Sequence, residues 1–136
     1  MHTAEHILNR TMVNMFACKR SENCHIERKK SKCDFELKTE PNEQQIFEIQ
    51  QKVNEIISQN LDVTETIQTF NQACNKFNLN RIANAENSSI RIINIGNYDS
   101  CPCIGQHVSN TSEIGNFKIT TTNYKNGHLI LRFKLL

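Results

Sequence analysis

Two short motifs near opposite ends of the chain each place a pair of nitrogen or sulfur side chains four residues apart. Residues 2–6 read His-Thr-Ala-Glu-His, and residues 103–107 read Cys-Ile-Gly-Gln-His. On a helix, two side chains at this spacing lie on the same face, one turn above the other. The four side chains at the ends of these motifs are His2, His6, Cys103 and His107.

These four side chains form a ligand set typical of zinc. Imidazole nitrogen and thiolate sulfur suit Zn²⁺, whereas Mg²⁺ and Ca²⁺ prefer oxygen. We predict that both motifs meet around one zinc ion; the alternative is a chance spacing of unrelated residues. Cys101 competes with Cys103 as the thiol ligand, but the four-residue step to His107 favours Cys103. His25 and His128 have no second ligand at motif spacing and are predicted to be surface or strand histidines.

The length and the cysteines favour one reduced domain. A chain of 136 residues has the size of a single domain, 1–136. We see no signal-peptide pattern, and no apolar run approaches the ~20 residues that span a bilayer. We therefore expect a cytoplasmic protein without membrane contact, whose six cysteines are thiols or metal ligands. Cys18, Cys33 and Cys74 are predicted to be small core residues.

The hydrophobic pattern predicts an α+β fold, with helices packed on one face of a mostly antiparallel sheet. Asn42 is a candidate helix cap, and Asn126-Gly127 is a strong hairpin signal. The predicted elements are helix 2–18, a strand pair or bent strand within 24–38, helix 43–60, strand 61–69, a short helix 71–77, strand 90–95, and strands 117–124 and 128–135.

Basic residues concentrate in two parts of the sequence. One basic segment spans residues 19–32, and no acidic residue follows Glu113. A positive surface of this kind would suit the phosphate backbone of a nucleic acid, although the charges could equally be ordinary solvated side chains. The candidate phosphate-binding residues are Arg28, Lys29, Lys30 and Lys118.

Four motifs occur in order along the chain. They are His-Thr-Ala-Glu-His at 2–6, Cys-Ile-Gly-Gln-His-Val at 103–108, Asn-Thr-Ser-Glu-Ile-Gly at 110–115 and Phe-Lys-Ile at 117–119. Together they resemble the editing domain shared by alanyl- and threonyl-tRNA synthetases. This "second additional domain" also occurs in freestanding AlaX-type trans-editing proteins. The resemblance runs from residue 2 to the final hairpin and implies the same fold. It places the zinc ligands of the family on His2, His6, Cys103 and His107.

The resemblance implies a zinc-dependent deacylase that hydrolyses the ester between a wrong amino acid and the 3′ end of a tRNA. Such editing is needed because one methylene gives only ~1–3 kcal/mol of discrimination in a binding pocket. The implied substrates are Ser- or Gly-tRNA of the alanine type, hydrolysed in trans. The alternatives are a zinc-stabilised module that binds tRNA without chemistry and a detached fragment of a class II synthetase. Whether the protein forms a homodimer stays open.

Departures from the family pattern leave the amino-acid preference open. Where the alanyl-type motif reads Cys-Gly-Gly-Thr-His, this chain has Ile104 in place of the first Gly and Gln106 in place of Thr. Three polar residues near the ligands in sequence are candidates to hold the amino acid or the ribose. The alternative for each is a hydrogen bond to its own backbone. These candidates are Thr3, Gln106 and Thr111.

Overall fold

The computed structural model describes residues 1–79 and 89–136 and confirms the α+β class. Three α-helices and two antiparallel sheets occur in these residues. The helices are α1 (His2–Phe16), α2 (Glu43–Ser58) and α3 (Phe70–Ala73), with a 3-10 helix at Thr111–Glu113. The strands are β1 (Asn23–Ile26), β2 (Ser31–Glu36), β3 (Val63–Gln68), β4 (Ile90–Ile95), β5 (Asp99–Pro102), β6 (Phe117–Lys125) and β7 (His128–Leu135).

The first helix is held by packing rather than by an N-terminal cap. Met1 is at the cap position and makes no side-chain cap hydrogen bond. Ala4, Ile7, Leu8 and Met12 are buried at helical spacing, and α1 packs against α2 and β5. A helix of this length gains most of its stability from such an apolar face. The first turn of α1, which carries two of the candidate ligands, is therefore fixed by its neighbours.

The second helix begins where the sequence predicted. The side chain of Asn42 accepts the backbone N–H of Gln45, and the side chain of Gln45 accepts the backbone N–H of Asn42. These two hydrogen bonds form a capping box. Farther along α2, the side-chain amide of Asn54 accepts the backbone N–H of Phe117 and donates to the carbonyl of the same residue, both at 2.8 Å. This amide connects α2 to the first residue of β6.

One sheet has the strand order β1-β2-β7-β6 and presents one face to the helices. Its inward side chains include Cys33, Phe35, Leu131 and Phe133, which are all fully buried and alternate with exposed positions. The predicted hairpin between β6 and β7 is confirmed. Asn126 and Gly127 both have positive φ, as a type I′ turn requires.

The second sheet has the order β3-β4-β5, and its central strand is buried on both faces. Ile93 and Ile95 join the main core, whereas Ile90 and Ile92 join a smaller cluster with Ala73 and Leu79. The four isoleucines of β4 occupy both faces of the strand, which is typical of a strand covered on both sides. The loop that follows β5 carries the second motif.

Several expectations need correction. The helices and strands build two sheets instead of one, and the cysteine-containing turn begins with the strand β5, which the sequence analysis did not predict. Cys33 is buried as expected, but Cys74 is exposed, so its assignment to the core is wrong. Cys18 is half-buried. Among the described helices, none has the length and apolar character needed to cross a lipid bilayer.

Candidate metal centre

Three of the four predicted ligands meet at one place. His6 comes from α1, Cys103 directly follows β5, and His107 lies in the loop before the 3-10 helix. Their candidate ligand atoms all lie within 4.8 Å of one another. The rings of His6 and His107 meet edge to face, with centroids 4.7 Å apart. The fold thus brings together side chains that are almost a hundred residues apart.

His2 lies beside this group rather than inside it. Its ring centroid is 6.1 Å from that of His107, and it is not among the residues whose ligand atoms all lie within 4.8 Å of one another. The ring packs against Gly105, where an added Cβ would be only 2.7–2.8 Å from three ring atoms. Gly105 is therefore needed for the close approach of the two motifs. The assignment of His2 as a fourth ligand stays a prediction.

The environment of His107 suits a metal ligand. Its Nδ1 lies 2.9 Å from the hydroxyl of Thr3, which also accepts the backbone N–H of Val108 at 3.3 Å. In the described part of the chain, the buried Nε2 of His107 has no hydrogen-bond partner. Burial, followed by the charges of His2 and Arg91, lowers the pKa of His107 to about 4. The imidazole is thus neutral at physiological pH, which is the form that binds a metal.

A buried carboxylate lies near His6. The fully buried side chain of Asp99 has Oδ2 3.7 Å from Nδ1 of His6. Arg10 and Arg20 donate to Asp99 Oδ1 at 3.0 and 2.7 Å. Burial alone would lower the pKa of Arg20, but the charge of Asp99 raises it above its ordinary value. At 3.7 Å this contact is too long for a hydrogen bond, so Asp99 places a negative charge beside the His6 ring without holding the ring directly.

Arg91 holds the shape of the second motif. From β4, its Nη1 donates to the carbonyls of Cys103 at 3.2 Å and Gly105 at 2.7 Å. Its Nε donates to Glu65 on β3 at 2.6 Å. Neither Arg91 nor Asp99 stands at motif spacing from a ligand, so the sequence pattern did not predict their contacts with the site.

Cys103, rather than Cys101, belongs to the ligand group. Burial raises the pKa of the Cys101 thiol to about 11, so this sulfur stays protonated at neutral pH. A thiolate is the metal-binding form of cysteine. Cys101 lies outside the group of converging donor atoms, so the geometry agrees with the choice that the four-residue spacing favoured.

The predicted polar residues divide into three cases. Thr3 is buried and touches His107, and Gln106 is exposed on the loop between two of the grouped residues. Thr111 is fully buried, accepts the backbone N–H of Leu61 and donates to the carbonyl of Ile57, both at 2.9 Å. These contacts give Thr111 a structural role between α2 and β3. A catalytic role for any of the three stays a prediction.

The remaining predicted residues lie on the surface. Arg28, Lys29 and Lys30 are exposed in the connection between β1 and β2, and Lys118 is exposed on β6. His25 and His128 are both exposed. Nε2 of His25 lies 2.6 Å from Oε1 of Glu27, and Nδ1 of His128 lies 2.8 Å from Oδ1 of Asp34.

The donor set and its surroundings fit a zinc ion. Two imidazoles and one thiol converge, one imidazole is held neutral, and its buried Nε2 has no hydrogen-bond partner in the described residues. Nitrogen and sulfur donors in this proportion are typical of zinc sites. The fold and this cluster define a class of α+β protein with a candidate metal centre between its first helix and a late loop.

Comparison with known proteins finds sequence similarity to tRNA synthetases. Residues 90–131 match the family model "Threonyl and Alanyl tRNA synthetase second additional domain". An alanine–tRNA ligase of Wolbachia pipientis wMel is 30% identical over 127 residues, which cover 88% of this chain and 14% of the ligase. That of Caldicellulosiruptor saccharolyticus is 34% identical over 120 residues, again 87% of this chain and 14% of the ligase. The predicted resemblance is confirmed: this chain is related to the second additional domain of threonyl- and alanyl-tRNA synthetases. It spans about 14% of the length of these relatives.

We predict that the change Thr111→Val lowers stability because it removes the hydroxyl that satisfies two backbone groups. The expected loss is about 1–3 kcal/mol in the free energy of unfolding, measured by urea denaturation. The exposed Thr122→Val on β6 is the matched control, with a change below about 0.5 kcal/mol. A variant of unchanged stability would contradict the structural role.

We also predict that Arg91→Ala weakens zinc binding about 10- to 100-fold, because the carbonyls of Cys103 and Gly105 lose their common donor. Competition with a chromophoric chelator measures the affinity, and circular dichroism verifies that the variant is folded. Arg132→Ala, which removes an exposed arginine from β7, should bind zinc like the unchanged chain. Equal affinities in both variants would exclude a supporting role for Arg91.

Proposed function

We propose that this chain is a zinc-dependent aminoacyl-tRNA deacylase, which hydrolyses Ser- or Gly-tRNA of the alanine type in trans. The observation that carries the proposal is the convergence of His6, Cys103 and His107 from two distant segments of the chain. The similarity to alanine–tRNA ligases supplies the substrate class. The reaction consumes one water and releases a free amino acid and a tRNA with a free terminal hydroxyl.

The roles of individual residues follow from their contacts. His6, Cys103 and His107 would hold the zinc, with His2 as the candidate fourth ligand. When bound, zinc supplies Lewis-acid polarisation or positioning of the ester group. Thr3 fixes the ring of His107 through its hydroxyl and is a positioning residue.

Two exposed side chains of the loop are placed to meet the substrate. Gln106 is exposed between the grouped residues Cys103 and His107, and its amide offers donors and acceptors to a ribose or an amino acid. Ile104 is 90% exposed next to Cys103, although it is a large apolar residue. An apolar side chain at this place would contact the amino acid or the terminal base when a substrate is bound.

The solvent face of the first sheet supports nucleic-acid binding. In the strand register, Lys32 lies opposite Arg132, and Lys118 lies opposite Lys134. All four point away from the core, because the residues beside them in sequence, such as Cys33 and Phe133, are buried. We call these four residues the basic face.

The basic face places like charges directly across from each other. Such cross-strand pairs destabilise a sheet unless a counter-charge approaches. The connection that carries Arg28, Lys29 and Lys30 precedes Ser31 and so lies at the same end of the sheet. Asp34, farther along this face, lies beside His128. A phosphate backbone would supply counter-charge to these pairs.

The deacylation assay tests the proposed activity. Purified chain should release serine or glycine from mischarged alanine-type tRNA, and elemental analysis should find about one zinc per chain. We expect Cys103→Ala to lower the rate on the order of 100-fold or more, because it removes a grouped donor. Cys74→Ala, which removes an exposed thiol, is the control and should keep the full rate.

Each contrary result of this assay has its own meaning. Binding of tRNA without loss of the ester would favour a tRNA-binding module. A fully active Cys103→Ala variant would exclude the proposed centre.

We further expect Arg132→Ala to weaken tRNA binding and to reduce the slope of log K against log salt concentration by about one. The reason is the loss of one phosphate contact from the basic face. Lys76→Ala, near α3, removes an exposed cation away from this face and is the matched control. Titrations at several salt concentrations give both slopes. Identical slopes for the two variants would contradict binding through the basic face.

A further inference from the structure

A second cluster of reactive side chains lies beneath α1 and is not used by the proposed activity. Cys24 on β1 and Cys33 on β2 face each other directly in the strand register. Their Sγ atoms are 2.8 Å apart. Cys33 is fully buried and Cys24 is half-buried. We propose that these two cysteines form a reversible disulfide that closes β1 covalently onto β2.

The backbone geometry of this pair suits a disulfide. Residues directly opposite each other on antiparallel strands have Cα atoms about 4.5–5.5 Å apart, inside the range of about 4.4–6.8 Å found for disulfides. The side chains of Cys24 and Cys33 already turn toward each other. The bond therefore requires rotation of side chains and no movement of the strands.

A shared metal ion fits the same pair less well. The carboxylate of Glu5 also lies within 4.8 Å of both sulfurs, so the three residues could in principle hold an ion. Two thiolates on one tetrahedral zinc, at about 2.3 Å from the metal, would stand about 3.8 Å apart. The observed separation of 2.8 Å is much shorter and favours a sulfur–sulfur bond.

The oxidant we name is a small disulfide of the glutathione type. Cys24 is the more accessible of the two thiols and gives up its proton to solvent. The Cys24 thiolate attacks one sulfur of the oxidant and releases one small thiol. The Cys33 thiolate then attacks the Cys24 sulfur and releases the second. The protein loses two electrons and two protons, and the oxidant becomes two thiols.

Closure of the pair would change the surroundings of Glu5. The oxidised Cys24 has no S–H to donate to Oε1 of Glu5, whose Oε2 lies 3.5 Å from Nε2 of His6. The pair therefore adjoins the candidate metal centre through a single buried carboxylate. The disulfide itself depends only on the two strands, so the proposal stands whether or not the chain is a deacylase.

Peptide mapping of the unchanged chain tests the proposal. The reduced protein is incubated with oxidised glutathione, remaining thiols are blocked with N-ethylmaleimide, and the protein is digested with trypsin. The basic residues between the two cysteines separate them into peptides 21–28 and 33–38. We expect these peptides to appear as one linked species, two hydrogens lighter than their sum, which disappears after treatment with dithiothreitol.

Variants and a melting experiment complete the test. Cys33→Ser should abolish the linked species and leave glutathione on Cys24, whereas the exposed Cys74→Ser should change neither. The oxidised chain should melt roughly 5 °C higher than the reduced one, because the closed loop restricts the unfolded state. Two fully blocked peptides, links spread evenly over other cysteines, or a lower melting temperature on oxidation would each overturn the proposal.

Discussion

The contact between the first turn of α1 and the loop after β5 is the constraint on which the candidate site depends. It joins Thr3 to the ring of His107 across 104 positions of sequence. Two arginines, Arg10 on α1 and Arg20 just beyond it, reach the buried carboxylate of Asp99 at the start of β5. Because a buried charge is costly without partners, this paired carboxylate fixes the helix to the strand. The site thus lies at the contact between two parts of the fold. When α1 packs against β5 and the loop that follows it, His6, Cys103 and His107 come together.

In this arrangement, binding of a metal ion would be coupled to folding. An ion held by donors from α1 and from the late loop would add its binding free energy to the contact between them. Residues that act on the site therefore also act on stability, and the two effects need separate measurements. Thr111 illustrates the problem: it follows the second motif closely in sequence, but its buried hydroxyl bonds the backbone of Ile57 and Leu61. Proximity in sequence to a ligand is a poor guide to whether a polar side chain faces the site.

Local signals predicted much of the fold and part of the site. The Asn42 cap, the Asn126-Gly127 turn and the spacing of ligands depend on neighbouring residues, so the sequence alone contains them. Strand β5 was missed because Asp99–Pro102 has no apolar alternation; the strand exists through its pairing with β4. Arg91 and Asp99 were missed for a related reason. They act through contacts that only the assembled sheets create, as Arg91 does with the carbonyls of Cys103 and Gly105. Cys74 looked like a core residue by type, but α3 leaves it exposed.

Two kinds of zinc site would fit this fold, and they differ in whether His2 is a ligand. A structural zinc is closed by four protein ligands, whereas a catalytic zinc keeps one position for water or substrate. The tight group consists of His6, Cys103 and His107, and the ring of His2 packs on Gly105 with its centroid 6.1 Å from that of His107. With these three protein ligands alone, a zinc ion would have a position left for water or substrate. With His2 as the fourth ligand, all four positions would be filled by protein, as in structural zinc sites. Because the ring of His2 packs on Gly105, which has no side chain, this position bears on which of the two kinds of site the proposed zinc ion would have, and so on the proposed hydrolysis.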